Sequence, residues 1–112
     1  MPRHAHTLAI ALTLLLTACG SRLPRGEQEF RNLAQSWGLA GQSVQASTIK
    51  LGEQGFQVRR LMPEPSWADR RDYLIATQTQ SLFFGDREWR IILPIDSERI
   101  AEVQPHVFIH AL

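Results

Sequence analysis

The only cysteine of this 112-residue chain, Cys19, closes an uncharged apolar run, and that placement constrains the fold more than any other feature. Ahead of it lie a short n-region with Arg3, His4 and His6 and an h-region from about Leu8 to Leu16. This is the layout of a secretory signal peptide, which is removed from the mature protein. The competing reading is a membrane span, but the run is too short, since a spanning helix needs about 20 apolar residues. This leading segment is therefore not building material for the domain. With a single thiol, the remainder forms no internal disulfide. It relies on its hydrophobic core even in an oxidising compartment.

Leu16-Thr17-Ala18-Cys19 resembles the lipobox of bacterial lipoprotein precursors: an aliphatic residue, two small residues, then cysteine. The resemblance implies a diacylglyceryl group on the Cys19 thiol, cleavage after Ala18 and acylation of the new amino group. A thiolate is a good nucleophile for such a transfer. Each buried methylene contributes about 0.8 kcal/mol, so several chains anchor firmly where one anchors marginally. In lipoproteins of diderm bacteria an aspartate after the cysteine often signals inner-membrane retention. Gly20 stands there instead. The resemblance thus implies the outer membrane, facing the periplasm. Gly20-Ser21-Arg22-Leu23-Pro24-Arg25-Gly26 reads as a tether reaching about 23 Å when extended. Arg22 and Arg25 either meet lipid phosphates or simply solubilise it. The chain divides into a signal peptide (1–18), a lipidated cysteine with tether (19–26) and one small domain (27–112).

Glu27 to Trp37 carries Phe30, Leu33, Ala34 and Trp37 on one helical face. Glu27 and Glu29 suit its first turn, and Gly38 its end. Residues 43–54 admit two readings. As a helix they have Ser43 as N-cap, an inward face of Val44, Thr48 and Leu51, and Gly55 as C-terminal stop with Phe56 packing back. As a strand they would pair with Phe56–Leu61 through Gly52-Glu53-Gln54-Gly55, although Ser43–Lys50 does not alternate apolar with polar. Gly52 weakens the helix by about 1 kcal/mol. The helix is preferred.

From Phe56 the pattern turns to strands. Phe56, Val58 and Arg60 alternate with Gln57, Arg59 and Leu61, and Met62-Pro63-Glu64-Pro65-Ser66 breaks the run. Tyr73 to about Phe84 predicts a second strand and Gly85-Asp86 a turn. Trp89, Ile91, Leu93 and Ile95 line one face of a third strand. Asp96-Ser97-Glu98 turns into a last strand from about Arg99 to Ile109, against the competing reading of a short helix capped by Asp96. Pro105 predicts a bulge or an edge there.

The sum is an α+β domain: two N-terminal helices packed on an antiparallel meander of three to four strands, in two layers. At this point the chain resembles small outer-membrane lipoproteins of the BamE/SmpA type in length, lipid anchor and element order. The matching pieces are Gly41-Gln42-Ser43, Leu51-Gly52, Arg70-Arg71-Asp72-Tyr73-Leu74 and the closing hairpin Arg90 to Val103. No specific assembly role is carried over.

Little points to catalysis. His106 and His110 would chelate a metal from one helix face, but Val107-Phe108-Ile109 predicts a strand, which sets the rings about 13 Å apart. No serine sits in a nucleophile elbow, and no carboxylate pair stands out as acid and base. Asp69-Arg70-Arg71-Asp72 is either an arginine-centred contact or a self-neutralised loop. Of three tryptophans, Trp37 and Trp89 fall on inward faces. Trp67 lies in the proline-bounded loop, so Trp67, Arg70 and Arg71 form the candidate partner-binding patch. Without Arg3, eleven basic residues balance eleven acidic ones, which argues against nucleic acid as a partner. The expectation is a non-enzymatic protein without metal or cofactor, held to the membrane by its lipid and binding or stabilising an envelope protein. The alternative is a small-ligand-binding or inhibitor module in the periplasm.

Overall fold

The structure, a computed structural model, describes residues 26–64, 66 and 71–111. It is the α+β domain expected: two helices on one face of an antiparallel sheet. Helix α1 is Glu27–Ser36 and helix α2 is Val44–Glu53. The strands are β1 (Gln57–Leu61), β2 (Tyr73–Leu82), β3 (Gly85–Asp96), β4 (Arg99–Ile100) and β5 (Gln104–Ala111). Sheet order is β1–β2–β3, with β4 and β5 both pairing the free side of β3.

Local chemistry explains both helices. In α1, Phe30 and Ala34 are buried, and Trp37, at the C-cap, packs half-buried against the core. In α2 the Ser43 side chain accepts the Ala46 N–H at 3.1 Å, which satisfies a first-turn donor. Its end is a Schellman closure. The Phe56 N–H reaches Leu51 O and the Gly55 N–H reaches Gly52 O, both at 3.0 Å, with Gly55 at φ +89°. Phe56 and Leu51 then meet in the core. The helix reading of residues 43–54 therefore holds, with one correction. The buried face runs through Ser47 and Leu51, and Thr48 is exposed, its hydroxyl donating back to Val44 O at 2.8 Å.

The sheet buries one face. Trp89, Ile91, Leu93 and Ile95 of β3 are all in the core, with Leu74 and Ala76 of β2 beside them. An aromatic chain crosses the layers: Trp89 meets Phe30 at 5.1 Å, Phe30 stacks on Phe56 at 6.2 Å, and Trp37 meets Phe56 edge-on at 5.9 Å. Such pairs contribute about 0.5–1.5 kcal/mol each beyond burial.

Two strand boundaries differ from expectation. The β2–β3 turn is Phe83-Phe84, not Gly85-Asp86; Leu82 pairs Gly85 directly. Gly85 opens β3 because its backbone lies too close to β5 for any side chain. The last strand is broken. Between Ile95↔Ile100 and Ile92↔Gln104 two residues of β3 face three of the outer strand, so residues 101–103 form a bulge. The Pro105 expectation is met: β5 is an edge strand, and the bulge lies just before it.

Candidate functional site

Arg71 is the member of the sequence-derived patch that falls among the described residues. It is exposed, on the rim of an open depression of about 380 Å³ lined also by Arg60, Asp72, Ile95, Asp96, Ser97 and Glu98. Trp67 and Arg70 lie outside the described residues, as do Asp69, Pro65, Cys19, residues 20–25 of the tether and the signal peptide.

Three elements meet at this end of the sheet. Arg60 sits on β1 opposite Leu74, on the inward-facing row. The sheet ends there, so its guanidinium emerges between the start of β2 and the β3–β4 turn. Its Nε donates to Asp72 Oδ2 at 2.8 Å, and its two terminal nitrogens donate to the two Glu98 oxygens at 3.1 and 2.7 Å. The fork grips Glu98 with both nitrogens, the geometry that makes arginine–carboxylate pairs directional. These partners raise the Arg60 pKa above its ordinary value, the Glu98 hydrogen bond contributing most. The same pair holds the Glu98 carboxyl below its ordinary 4.5.

Glu98 is placed by an unusual turn. Ser97 and Glu98 form a two-residue hairpin loop with φ +52° and +60°. Left-handed backbone costs a non-glycine residue about 1–2 kcal/mol, and such conformations persist only where surroundings over-determine them. Here they do. The Glu98 carbonyl accepts the Val44 N–H at 3.1 Å, at the start of α2. Ile100 exchanges hydrogen bonds with the α1–α2 connection: the Gly41 N–H donates to Ile100 O (2.8 Å) and the Ile100 N–H donates to Gln42 O (2.9 Å). The Arg99 guanidinium donates to Gly41 O at 3.0 Å. The turn thus ties the helical layer to the sheet.

Sequence reasoning missed Arg60 and Glu98. A signal was present: Arg60 continues the row of Phe56 and Val58, where an arginine must either leave at the sheet end or find carboxylates.

A second polar group lies on the helix-free face. Glu88 pairs with Arg90 on its own strand and lies 3.4 Å from His110 Nε2. Arg90 also covers the Phe108 ring at 4.5 Å. The Arg90 hydrogen bond, ahead of other causes, lowers the Glu88 pKa from 4.5. His106 and His110 do stand on a strand, with Phe108 between them at centroid distances of 6.2 and 6.5 Å. Among the described residues no three His, Cys, Asp or Glu side chains gather as metal ligands.

Both carboxylates titrate lower in the folded chain than in the unfolded one. Their contribution is therefore complete above about pH 4.5 and is lost as pH falls through the lowered values. The melting temperature should hold from neutral pH to about 5 and fall below that. An Arg60→Gln variant should start lower and fall less steeply in acid; equal slopes in the two proteins would contradict the pairing. Because Glu98 is exposed, high salt should narrow the difference.

A two-layer α+β domain with a charged, partly self-neutralised end is what the geometry defines. No family model, curated protein or solved structure matches the chain.

Proposed function

We propose that this protein is a lipid-anchored envelope lipoprotein, non-catalytic, that binds or steadies a protein partner at the periplasmic face of the outer membrane. The observation that carries this reading is the sequence Leu16-Thr17-Ala18-Cys19 at the close of an apolar segment. A second hydrophobic anchor is not required by it, and no helix among the described residues is long and apolar enough to cross a membrane. The surface favours contact with a macromolecule. The depression beside Arg71 is open and lined mainly by charged side chains, in the manner of a polar contact surface. Arg71, with Asp72 and Glu98, is the expected contact group on the described surface.

Cys19→Ala is the direct test. The substituted protein should leave the membrane fraction almost completely, whereas the parent chain stays with it and carries acyl chains by mass spectrometry. Crosslinking of the parent chain in its own envelope should recover one stoichiometric protein. Retention of the Cys19→Ala protein, or an unmodified terminus in the parent, would refute the anchor. Recovery of no specific protein would refute the partner.

A further inference from the structure

The β2–β3 hairpin ends in two phenylalanines. Turn positions ordinarily take Gly, Asn, Asp, Ser or Pro, for reasons of backbone geometry and local hydrogen bonding. Here Phe83 and Phe84 occupy a two-residue loop, edge-on to one another at 4.9 Å. Phe83 is 94 % exposed, more than any other large apolar side chain described, and Phe84 is 41 % exposed. Ile109 and Phe108 of β5 are exposed near the same end. The core does not need these groups. Trp89 is the last buried apolar side chain toward the tip among the described residues. Exposed apolar groups gathered at one place mark contact with a protein or a membrane.

The direction of α1 selects the membrane. Gln35 donates to the Val103 carbonyl at 3.3 Å, near the middle of the sheet, whereas Phe30 lies against Trp89, closer to the tip. From Ser36 back to Glu27 the helix therefore runs toward the hairpin end. Gly26, where the tether joins, lies about 6 Å beyond Phe30 along the axis. The tip lies about 16 Å beyond Trp89 along the strand, so it projects roughly 10 Å past Gly26 on the same side. The seven residues back to Cys19 span at most about 25 Å. Tether and aromatic tip thus leave the domain at one end, while Arg60, Asp72 and Glu98 cluster at the other.

We propose that Phe83 and Phe84 insert into the headgroup–acyl boundary of the leaflet that holds the Cys19 lipid. The inference rests on the lipid-anchor reading. The acyl chains hold the protein, and the tip sets its orientation, a second contact of the kind that converts a loose tether into a fixed pose. The charged end then faces the periplasm.

The test uses the lipidated protein purified from its own membranes and reconstituted in 3:1 phosphatidylethanolamine/phosphatidylglycerol vesicles. With Cys19 acylated, Ser81→Cys near the tip and Asp96→Cys at the far end each supply one thiol for an NBD fluorophore. Flotation reports the anchor. On floated protein, doxyl-labelled lipid should quench the Ser81→Cys label at least about twofold more than the Asp96→Cys label, as interfacial insertion requires. In the Phe83→Ser/Phe84→Ser background that difference should vanish while flotation persists. Floated protein with equal quenching at both sites overturns the inference and leaves the anchor standing, whatever then covers the tip. Unaltered quenching in the double-serine background also overturns it. Failure to float refutes the anchor and the inference together.

Discussion

Trp89→Ala should remove about half of the domain's stability. The indole is fully buried at the centre of β3, with the Phe30 ring of α1 tilted against it at 5.1 Å and the Arg87 guanidinium 5.4 Å from its ring centre. Removing it severs the aromatic chain that joins the two layers and opens a cavity between them. Large-to-small changes of this kind cost about 3–5 kcal/mol. Domains of this size have about 5–10 kcal/mol in total, and no disulfide holds the remainder together. Trp89→Phe is the informative contrast. It keeps a ring against Phe30, and it removes a buried indole N–H that has no hydrogen-bond partner among the described residues. An unsatisfied buried donor costs about 1–3 kcal/mol, which offsets part of the lost volume. Urea denaturation followed by circular dichroism should give a small loss of stability for phenylalanine and one of about 3–5 kcal/mol for alanine. Equal losses would show that the ring is not the element that binds helix to sheet.

Gly85→Ala should cost about 2 kcal/mol and strip the end of β5 from the sheet. Gly85 has φ +151°, and a methyl group there would run into the His110 carbonyl oxygen and stand 2.9 Å from Ala111 Cα. Both obstacles are backbone, so no rotamer change relieves them. The strand must move, and the pairs Gly85↔Ala111 and Asp86↔His110 are the first to part. Amide exchange at His110 and Ala111 should accelerate together. The same substitution at Gly52 should have the opposite sign. Gly52 lies in α2 with nothing within 4 Å of the added carbon, so alanine should raise stability by about 1 kcal/mol through helix propensity. Similar effects at both positions would mean that the β3–β5 approach is not the constraint.

Much of the architecture was legible because its signals are local. Ser43 and Gly55 bracket α2 by capping chemistry, and Trp89, Ile91, Leu93 and Ile95 mark the buried face of β3 by alternation. The errors arose where tertiary geometry overrides local preference. Gly85-Asp86 is a good turn in isolation, but the neighbouring β5 backbone requires glycine at Gly85 within the strand, which pushes the turn onto two phenylalanines. In α2 the substitution of Ser47 for Thr48 on the buried face reflects a helix whose apolar pattern is too weak to fix its rotation. The charged site was half legible. Arg71 and Asp72 stood out as part of a charge run, whereas Glu98 is distant in sequence and reaches Arg60 only because the meander brings three strand ends together.

The extra residue in the outer strand carries a consequence for chain length. Ile100 faces inward at an even-numbered position, whereas Val103, Pro105 and Val107 face inward at odd-numbered ones. The phase of the side chains slips between them, at 101–103, and nowhere else in the strand. Without that slip His106 and Phe108 would be turned into the core and Val107 out of it, since a one-residue offset inverts every later side chain. The number of residues in this short segment is thus fixed as firmly as the identity of any residue in the core.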